Sequence, residues 1–290
     1  MIITQLLGGL GNQLFQYAVG RALAAKHGTS LVLDTSTFAS YALRTYALDH
    51  FNIEASLLSD EERARLGLSP APTTRIGRVL RRVFGRVKIP VIKERSFQFD
   101  PELFDSPASC YLEGWWQSSR YFSAIEPQIR KEFTVRDALK GANLAMAEQV
   151  AACTAVALHV RRADYVNDPV SNRAHGTCSP EYYEAAENIL RQKIGSFRLF
   201  IFSDDPDWAD SNLRFQSPAT VLRINGPERD YEDLRLMTLC RHHIIANSTF
   251  SWWGAWLCAH DRKIVIAPKH WFREASHSTA DLIPDGWLRV

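Results

Sequence analysis

The stretch LHVRRADYV, residues 158–166, ends an apolar run in two arginines and a carboxylate. At the C-terminal end of a buried strand in an α/β sheet, side chains face the ligand crevice. Two guanidiniums there, Arg161 and Arg162, suit a diphosphate, because arginine grips phosphate oxygens through a planar fork and never deprotonates. Asp164 can orient one arginine or act as a base. An Arg–Asp ion pair closing a sheet end would use the same residue types, and His159 alone also fits a hydrogen-bonded core histidine.

Three further stretches carry groups of this kind. GGLGNQ, residues 8–13, puts glycines where a backbone could approach a phosphate or sugar, followed by two amides, Asn12 and Gln13, that read hydroxyls well. As a dinucleotide fingerprint it lacks its third glycine, replaced by Leu14, although Asp34 lies roughly 20 residues on, where a ribose-binding acid would sit. A plain tight turn is the other reading. IFSDDPDW, residues 201–208, contains Asp205-Pro206-Asp207, formally a DxD metal-binding spacing and equally a good helix N-cap. NSTFSWWGAWL, residues 247–257, places Ser248, Thr249 and Ser251 at a helix start, where hydroxyls and N–H groups make a phosphate cradle. Trp252, Trp253 and Trp256 follow at helical spacing and are expected to be buried rather than stacked on sugars.

These groups need strand ends to hold them. MIITQLL reads as a strand, GGLG as a turn, and Leu14, Tyr17, Ala18, Arg21, Ala22 and Ala25 recur at helical spacing up to Gly28 at a C′ position. With a strand in SLVLD (30–34), this is a βαβ opening and predicts a parallel sheet. A helix is expected around 59–67, a Pro-containing loop at 69–74, and a strand in CYLEGWWQS (110–118) leading into a functional loop. The second half alternates. TAVALHV is a strand. Ser179 caps and Pro180 starts a helix reaching about Gln192 and ended by Gly195. FRLFIF (197–202) and ATVLRI (219–224) are strands, a helix runs near 229–242, IIA is a short strand, STFSWWGAWLCAH a helix and KIVIAP the final strand. The pattern predicts two doubly wound α/β domains, 1–150 and 151–290, divided near 140–152, with a cleft between them and a phosphate site mainly in the second.

A chain of 290 residues suits two domains. The net charge of only +2 does not point to nucleic acid. The five cysteines are widely spaced and form no CxxC pair, so reduced thiols in a cytoplasmic protein are expected. No signal-peptide pattern and no run of 18 apolar residues is visible.

GGLGNQLFQYA (8–18), HVRRADYV (159–166), HGTCSPEYY (175–183), FSDD (202–205) and IIANSTFSWWGAWL (244–257), in this order, resemble the bacterial α-1,2-fucosyltransferases of glycosyltransferase family 11. The resemblance implies a GT-B-like fold, two Rossmann-like α/β domains facing a cleft, with the acceptor on the N-terminal side and GDP-fucose on the C-terminal domain. It implies inverting transfer of L-fucose to the 2-hydroxyl of a galactose residue, in surface polysaccharide (O-antigen) synthesis, with no cofactor and no metal. Carried over by position, Arg161 contacts the donor diphosphate and His159 and Asp164 line the same site. Ser248, Thr249 and Ser251 lie at the phosphates and Asn12 near the transferred sugar. Gly11, Arg162, Asp204 and Asn247 complete the donor-binding set. The catalytic base is Asp164 first, His159 second. One departure is Ala163, where glycine is common in the family.

Two other functions use parts of the same sequence. A nucleotide-dependent oxidoreductase would use GLG and Asp34, and a non-catalytic sugar-binding module would use the eight tryptophans. Residues 75–88, RIGRVLRRVFGRVK, read as a basic amphipathic helix: Ile76, Val79, Leu80, Val83, Phe84 and Val87 share one face, with Arg75, Arg78, Arg81, Arg82, Arg86 and Lys88 opposite. Such a helix either packs as an ordinary surface helix or lies on an anionic membrane. The second case would bring the protein to the inner membrane and to lipid-linked acceptors.

Overall fold

The computed structural model describes residues 1–39, 44–68, 89–162, 166, 176–273 and 278–290. The basic segment 75–88, His175 and the stretch around Asp164 lie outside the described residues. The chain forms two α/β units, Met1–Asp49 with Ile53–Glu132, and His50–Asn52 with Phe133–Val290.

The first unit opens as the spacing predicts. β1 (Ile2–Gln5), α1 (Leu10–His27) and β2 (Leu31–Asp34) form a βαβ unit with Ile2 paired to Leu31 in parallel register. Gly28 ends α1 in the left-handed region at φ 60°, and its N–H returns to the last turn. Gly20 lets helix and sheet touch: a Cβ there would lie 2.2 Å from Thr4 Oγ1. β3 (Ser56–Leu57), α2 (Asp60–Arg65), β4 (Val91–Lys93), β5 (Cys110–Glu113) and α3 (Glu126–Glu132) complete the unit. Ser59 and Glu62 form a reciprocal capping box on α2. The sheet order is β3-β2-β1-β5-β4, parallel throughout. Beneath α1, Tyr17 donates to Glu132 at 2.6 Å and accepts the Glu54 N–H at 2.9 Å, while Arg21 pairs with both carboxylates.

The second unit carries α4 (Gly141–Ala151), β6 (Ala155–Val160), α5 (Pro180–Ile194), β7 (Arg198–Ser203), α6 (Pro206–Asn212), β8 (Ala219–Val221), α7 (Asp230–Leu239), β9 (His242–Ile244), α8 (Thr249–Leu257), β10 (Val265–Ala267) and β11 (Leu288–Arg289). Its sheet order is β11-β10-β9-β6-β7-β8, again all parallel. β6 is buried at every residue, as a central parallel strand must be. The paired Rossmann-like sheets are the α/β fold the sequence predicts.

Three details differ from the sequence reading. KIVIAP is not the final strand, because β11 pairs with β10; two residues offer no periodicity to read. β4 was likewise illegible in a short stretch without alternation. The units divide at Glu132/Phe133, not at 150/151. α4 belongs with the second unit because Val150 is buried with Ala155, Phe200, Leu236 and Met237. Residues 50–52 join that unit too. Phe51 bridges antiparallel to Val135, stands edge-on to Phe133, and is 1% exposed.

Candidate active site

Each sheet has one point where the chain reverses its direction of strand addition. In the second unit it runs outward from β6 to β7 and β8, then returns to β9 on the other side of β6. The crevice at the carboxyl ends of β6 and β9 is where ligands of such sheets bind. Arg161 and Arg162 follow β6 directly, and Asn247–Ser251 follow β9. Arg161, Arg162, Asn247, Ser248 and Thr249 therefore follow the two strands that flank this crevice.

Their partners divide the labour between the two arginines. Arg161 Nη1 reaches Asp204 Oδ2 at 3.0 Å, and Arg162 N–H donates to Asp204 Oδ1 at 2.8 Å. Asp204 thus fixes the start of the loop after β6. The Arg162 guanidinium lies 3.8 Å from the centroid of the Trp208 ring, with Asp205 Oδ2 at 3.6 Å from its Nε. Asp205 accepts from Trp208 N–H and caps α6, with Pro206 in its first turn. Asp207 pairs with Arg223 at 2.5 Å. Both carboxylates of the DxD spacing are therefore engaged by a cap and by arginines, and the N-cap reading describes them. The Arg161–Asp204 pair is partly open to solvent, so it is worth about 1 kcal/mol or less, and an incoming diphosphate can displace it.

His159 is 4% exposed, with its ring 5.4 Å from that of Phe250 and its Nδ1 without a hydrogen-bond partner among the described residues. Burial, reinforced by the Arg161 charge, pushes its pKa down to about 3, so the imidazole is neutral near pH 7. The Tyr-Tyr pair of α5 holds the strand ends from below. Tyr183 donates to the His159 carbonyl at 3.1 Å and Tyr182 to the Ile245 carbonyl at 2.7 Å.

After β9, the Asn247 amide donates to the Gly176 and Trp271 carbonyls, each at 3.2 Å, stitching three loops together. Ser248 is the N-cap of α8 and its side chain makes no capping bond. Ser251 does not reach the crevice: it is fully buried and donates to the Ser248 carbonyl at 3.2 Å, supporting the turn from beneath. Trp252, Trp253 and Trp256 are buried, and Trp252 donates to the Leu282 carbonyl. They are core, so the tryptophans of α8 lend no support to a sugar-binding module. Lys263 Nζ closes the other end of α8, reaching the carbonyls of Ala255 and Cys258 at 2.8 and 2.7 Å. Arg273, which the sequence reading missed, lies against Gly176; a Cβ on that glycine would come within 2.4 Å of Arg273 Nε. The only sequence signal was the glycine itself, because Arg273 is brought in from the distant C-terminal loop. Cys178, beside Asn247, has its thiol pushed up to about 11 by burial and is no nucleophile.

In the first unit the switch point falls between β1 and β5. Gly11 and Asn12 lie in the first turn of α1, and Asn12 Oδ1 accepts from Gln117 Nε2 at 3.1 Å across that crevice. Gln13 is turned inward: it donates to the Gly8 and Thr45 carbonyls and accepts the Ala47 N–H. Asp34 is not a ribose ligand. It is 1% exposed and holds Arg63, the Tyr111 hydroxyl and the Ser36 N–H. That leaves the oxidoreductase reading without its acid.

The sequence profile of Glycosyl transferase family 11 matches residues 95–290. The chain is 33% identical to the alpha-1,2-colitosyltransferase of Escherichia coli, over 100% of its own length and 99% of the relative's. It is 30% identical to the O-antigen biosynthesis glycosyltransferase WbnK of Escherichia coli, over 98% and 99%. Among solved structures, NodZ alpha-1,6-fucosyltransferase soaked with GDP-fucose aligns over 91% of this chain and 94% of its own, at 16% identity and a TM-score of 0.47. With a profile covering most of the chain and a relative matched end to end, the protein is a member of glycosyltransferase family 11.

Proposed function

We propose that the protein transfers L-fucose from GDP-fucose to the 2-hydroxyl of a galactose residue in a surface glycan, with inversion and without a metal. The observation that carries this reading is the pairing of Arg161 with the α8 N-terminus at the switch point of the second sheet. A fixed cation and a helix start face the same crevice, which suits a diphosphate leaving group.

In a single displacement the GDP oxygen gains charge as the sugar carbon becomes oxocarbenium-like. Arg161 and the helix start at 248–251 would absorb that charge without a metal. The acceptor hydroxyl must lose a proton. His159, neutral with a pKa near 3, is poorly matched to that task at pH 7, which leaves Asp164 as the preferred base. Arg162, pinned by Trp208 and Asp205, serves mainly to hold the loop.

Colitose, which is fucose without its 3-hydroxyl, is the second donor sugar to consider, because the relative covered end to end is named a colitosyltransferase. The test is transfer of label from GDP-fucose and from GDP-linked colitose to a panel of galactosides. Turnover of GDP-fucose onto the galactose 2-hydroxyl supports the proposal. Turnover of GDP-colitose alone replaces it with the second reading, and failure of both donors sinks it.

Residues 75–88 fit the same biology as a membrane contact, since a glycan under construction on a lipid carrier is a surface-bound substrate. Binding to anionic vesicles that is lost at high salt supports this; indifference to anionic vesicles at low salt makes the segment a surface helix.

A further inference from the structure

Carboxamides and an indole stand together at the first unit's switch point, with Arg44 against Gly9 at the start of α1, and its loops are braced. Gln16 ties them together: Oε1 accepts the Leu7 N–H at 3.0 Å and Nε2 donates to the Gly114 carbonyl at 3.2 Å. Glu94, just past β4, accepts the N–H of Trp115 at 2.7 Å and of Trp116 at 2.9 Å. Gly114 makes room for this carboxylate, since a Cβ there would lie 2.4 Å from Glu94 Cβ. Trp116 is held at φ 57°, a conformation rare outside glycine, and such strain persists where the surroundings over-determine it.

The result of this bracing is the placement of the next residue. Gln117 is 7% exposed and its Nε2 is committed to Asn12 Oδ1, yet its Oε1 is buried without a partner among the described residues. The carboxamide oxygen can only accept, so a hydroxyl or N–H donor is what would satisfy it. Trp115 borders the same spot. A Cβ on Gly8 would lie 3.2 Å from the Trp115 ring and 2.7 Å from Asn12 Nδ2, so glycine at φ 81° is what lets indole and amide converge. An indole beside a buried acceptor matches a pyranose, which offers a C–H face and hydroxyl donors together.

We propose that Trp115 and Gln117 form a pyranose subsite, in which Gln117 Oε1 accepts from one sugar hydroxyl and the Trp115 ring covers the sugar's C–H face. Asn12 and Glu94 are its positioning residues. The proposal rests on the glycosyl-transfer reading above, and the sugar is either the acceptor galactoside or the transferred residue.

Gln117→Met keeps the volume and removes the acceptor; Gln117→Glu keeps it. Each is assayed with methyl β-galactoside and its 3-, 4- and 6-deoxy analogues. In the wild type one deoxy analogue loses about 10–100-fold in kcat/KM, the scale of one unpaired buried group. Gln117→Met loses the same factor on the parent sugar and nothing more on that analogue, and Gln117→Glu recovers part of it. If instead the donor KM rises and hydrolysis of the nucleotide sugar without acceptor slows, with the acceptor pattern unchanged, the subsite holds the transferred residue. Equal losses on every sugar with a lowered Tm, or no loss at all, overturn the proposal. A wild type that transfers no sugar defeats the transferase reading separately. Saturation-transfer NMR of methyl β-galactoside and of methyl α-L-fucoside on wild type and Gln117→Met then reads the subsite directly, and absence of a Gln117-dependent signal from both overturns it.

Discussion

The two switch points occupy the same topological position in their sheets and are built from opposite chemistry. In the second unit, guanidiniums and carboxylates crowd the strand ends and a helix start adds its positive pole. In the first, carboxamides and an indole stand with a single arginine, Arg44, against Gly9, and the nearby carboxylate, Glu94, is spent on two backbone N–H groups. One fold serves both because crevice chemistry lies in the loops, while the sheet supplies only their spacing.

The largest expected effect that would break this contrast lies in the second unit. Asp164→Asn should slow transfer by about 10²–10⁴-fold with GDP affinity roughly kept, if the carboxylate is the base. Collapse of GDP binding in calorimetry would make Asp164 an arginine orienter instead. Arg161→Lys keeps the charge but not the fork, and should cost about 10²–10³-fold in kcat/KM with weakened GDP binding. Near-normal turnover would shift the diphosphate contact to Arg162.

A third expectation concerns acid. The buried histidines His159, His242 and His243 all lie in the second unit, with pKa values lowered by burial to about 3, 4 and 3. A histidine kept neutral when folded stabilises fully above its unfolded pKa near 6.5, and that contribution is lost as pH falls toward the folded value. Each such group costs roughly 1 kcal/mol per pH unit across that window. Hydrogen exchange compared at pH 7.5 and pH 5 should show protection falling more in the second unit than in the first; equal loss in both would remove the distinction. The smallest expected effect is none: EDTA should leave transfer unchanged. Loss of activity restored by Mn²⁺ would make Asp205 and Asp207 ligands and overturn the metal-free proposal.

Much of the second unit was legible because its signals are local. Pro180 after Ser179, Gly195, and hydrophobic runs of strand length fix α5, β6 and β7 within a few residues. Arg161 and Ser248 could be placed after β6 and at the start of α8 because strand ends announce themselves. Glu94 and Gln117 could not, because their meaning depends on partners about 20 and 105 residues away. Ser251 and Asp34 misled for the opposite reason. Residue type suggested a ligand, whereas burial and a backbone carbonyl, or a half-buried arginine and a buried tyrosine, had already claimed them.

The brief excursion of residues 50–52 into the second unit bears on how this enzyme can be recombined. A chimera joined at Glu132/Phe133 would take its C-terminal unit from one parent and Phe51 from the other. Phe51 is a fully enclosed side chain packed on Phe133, and the neighbouring Asn52 amide donates to the Thr134 carbonyl and hydroxyl. Replacing one aromatic in that pair without the other leaves a void or a clash, and deleting a buried phenylalanine costs about 3–5 kcal/mol. The second unit can therefore be exchanged between parents only as a discontinuous module that carries the tripeptide His50–Asn52 along with everything after residue 132.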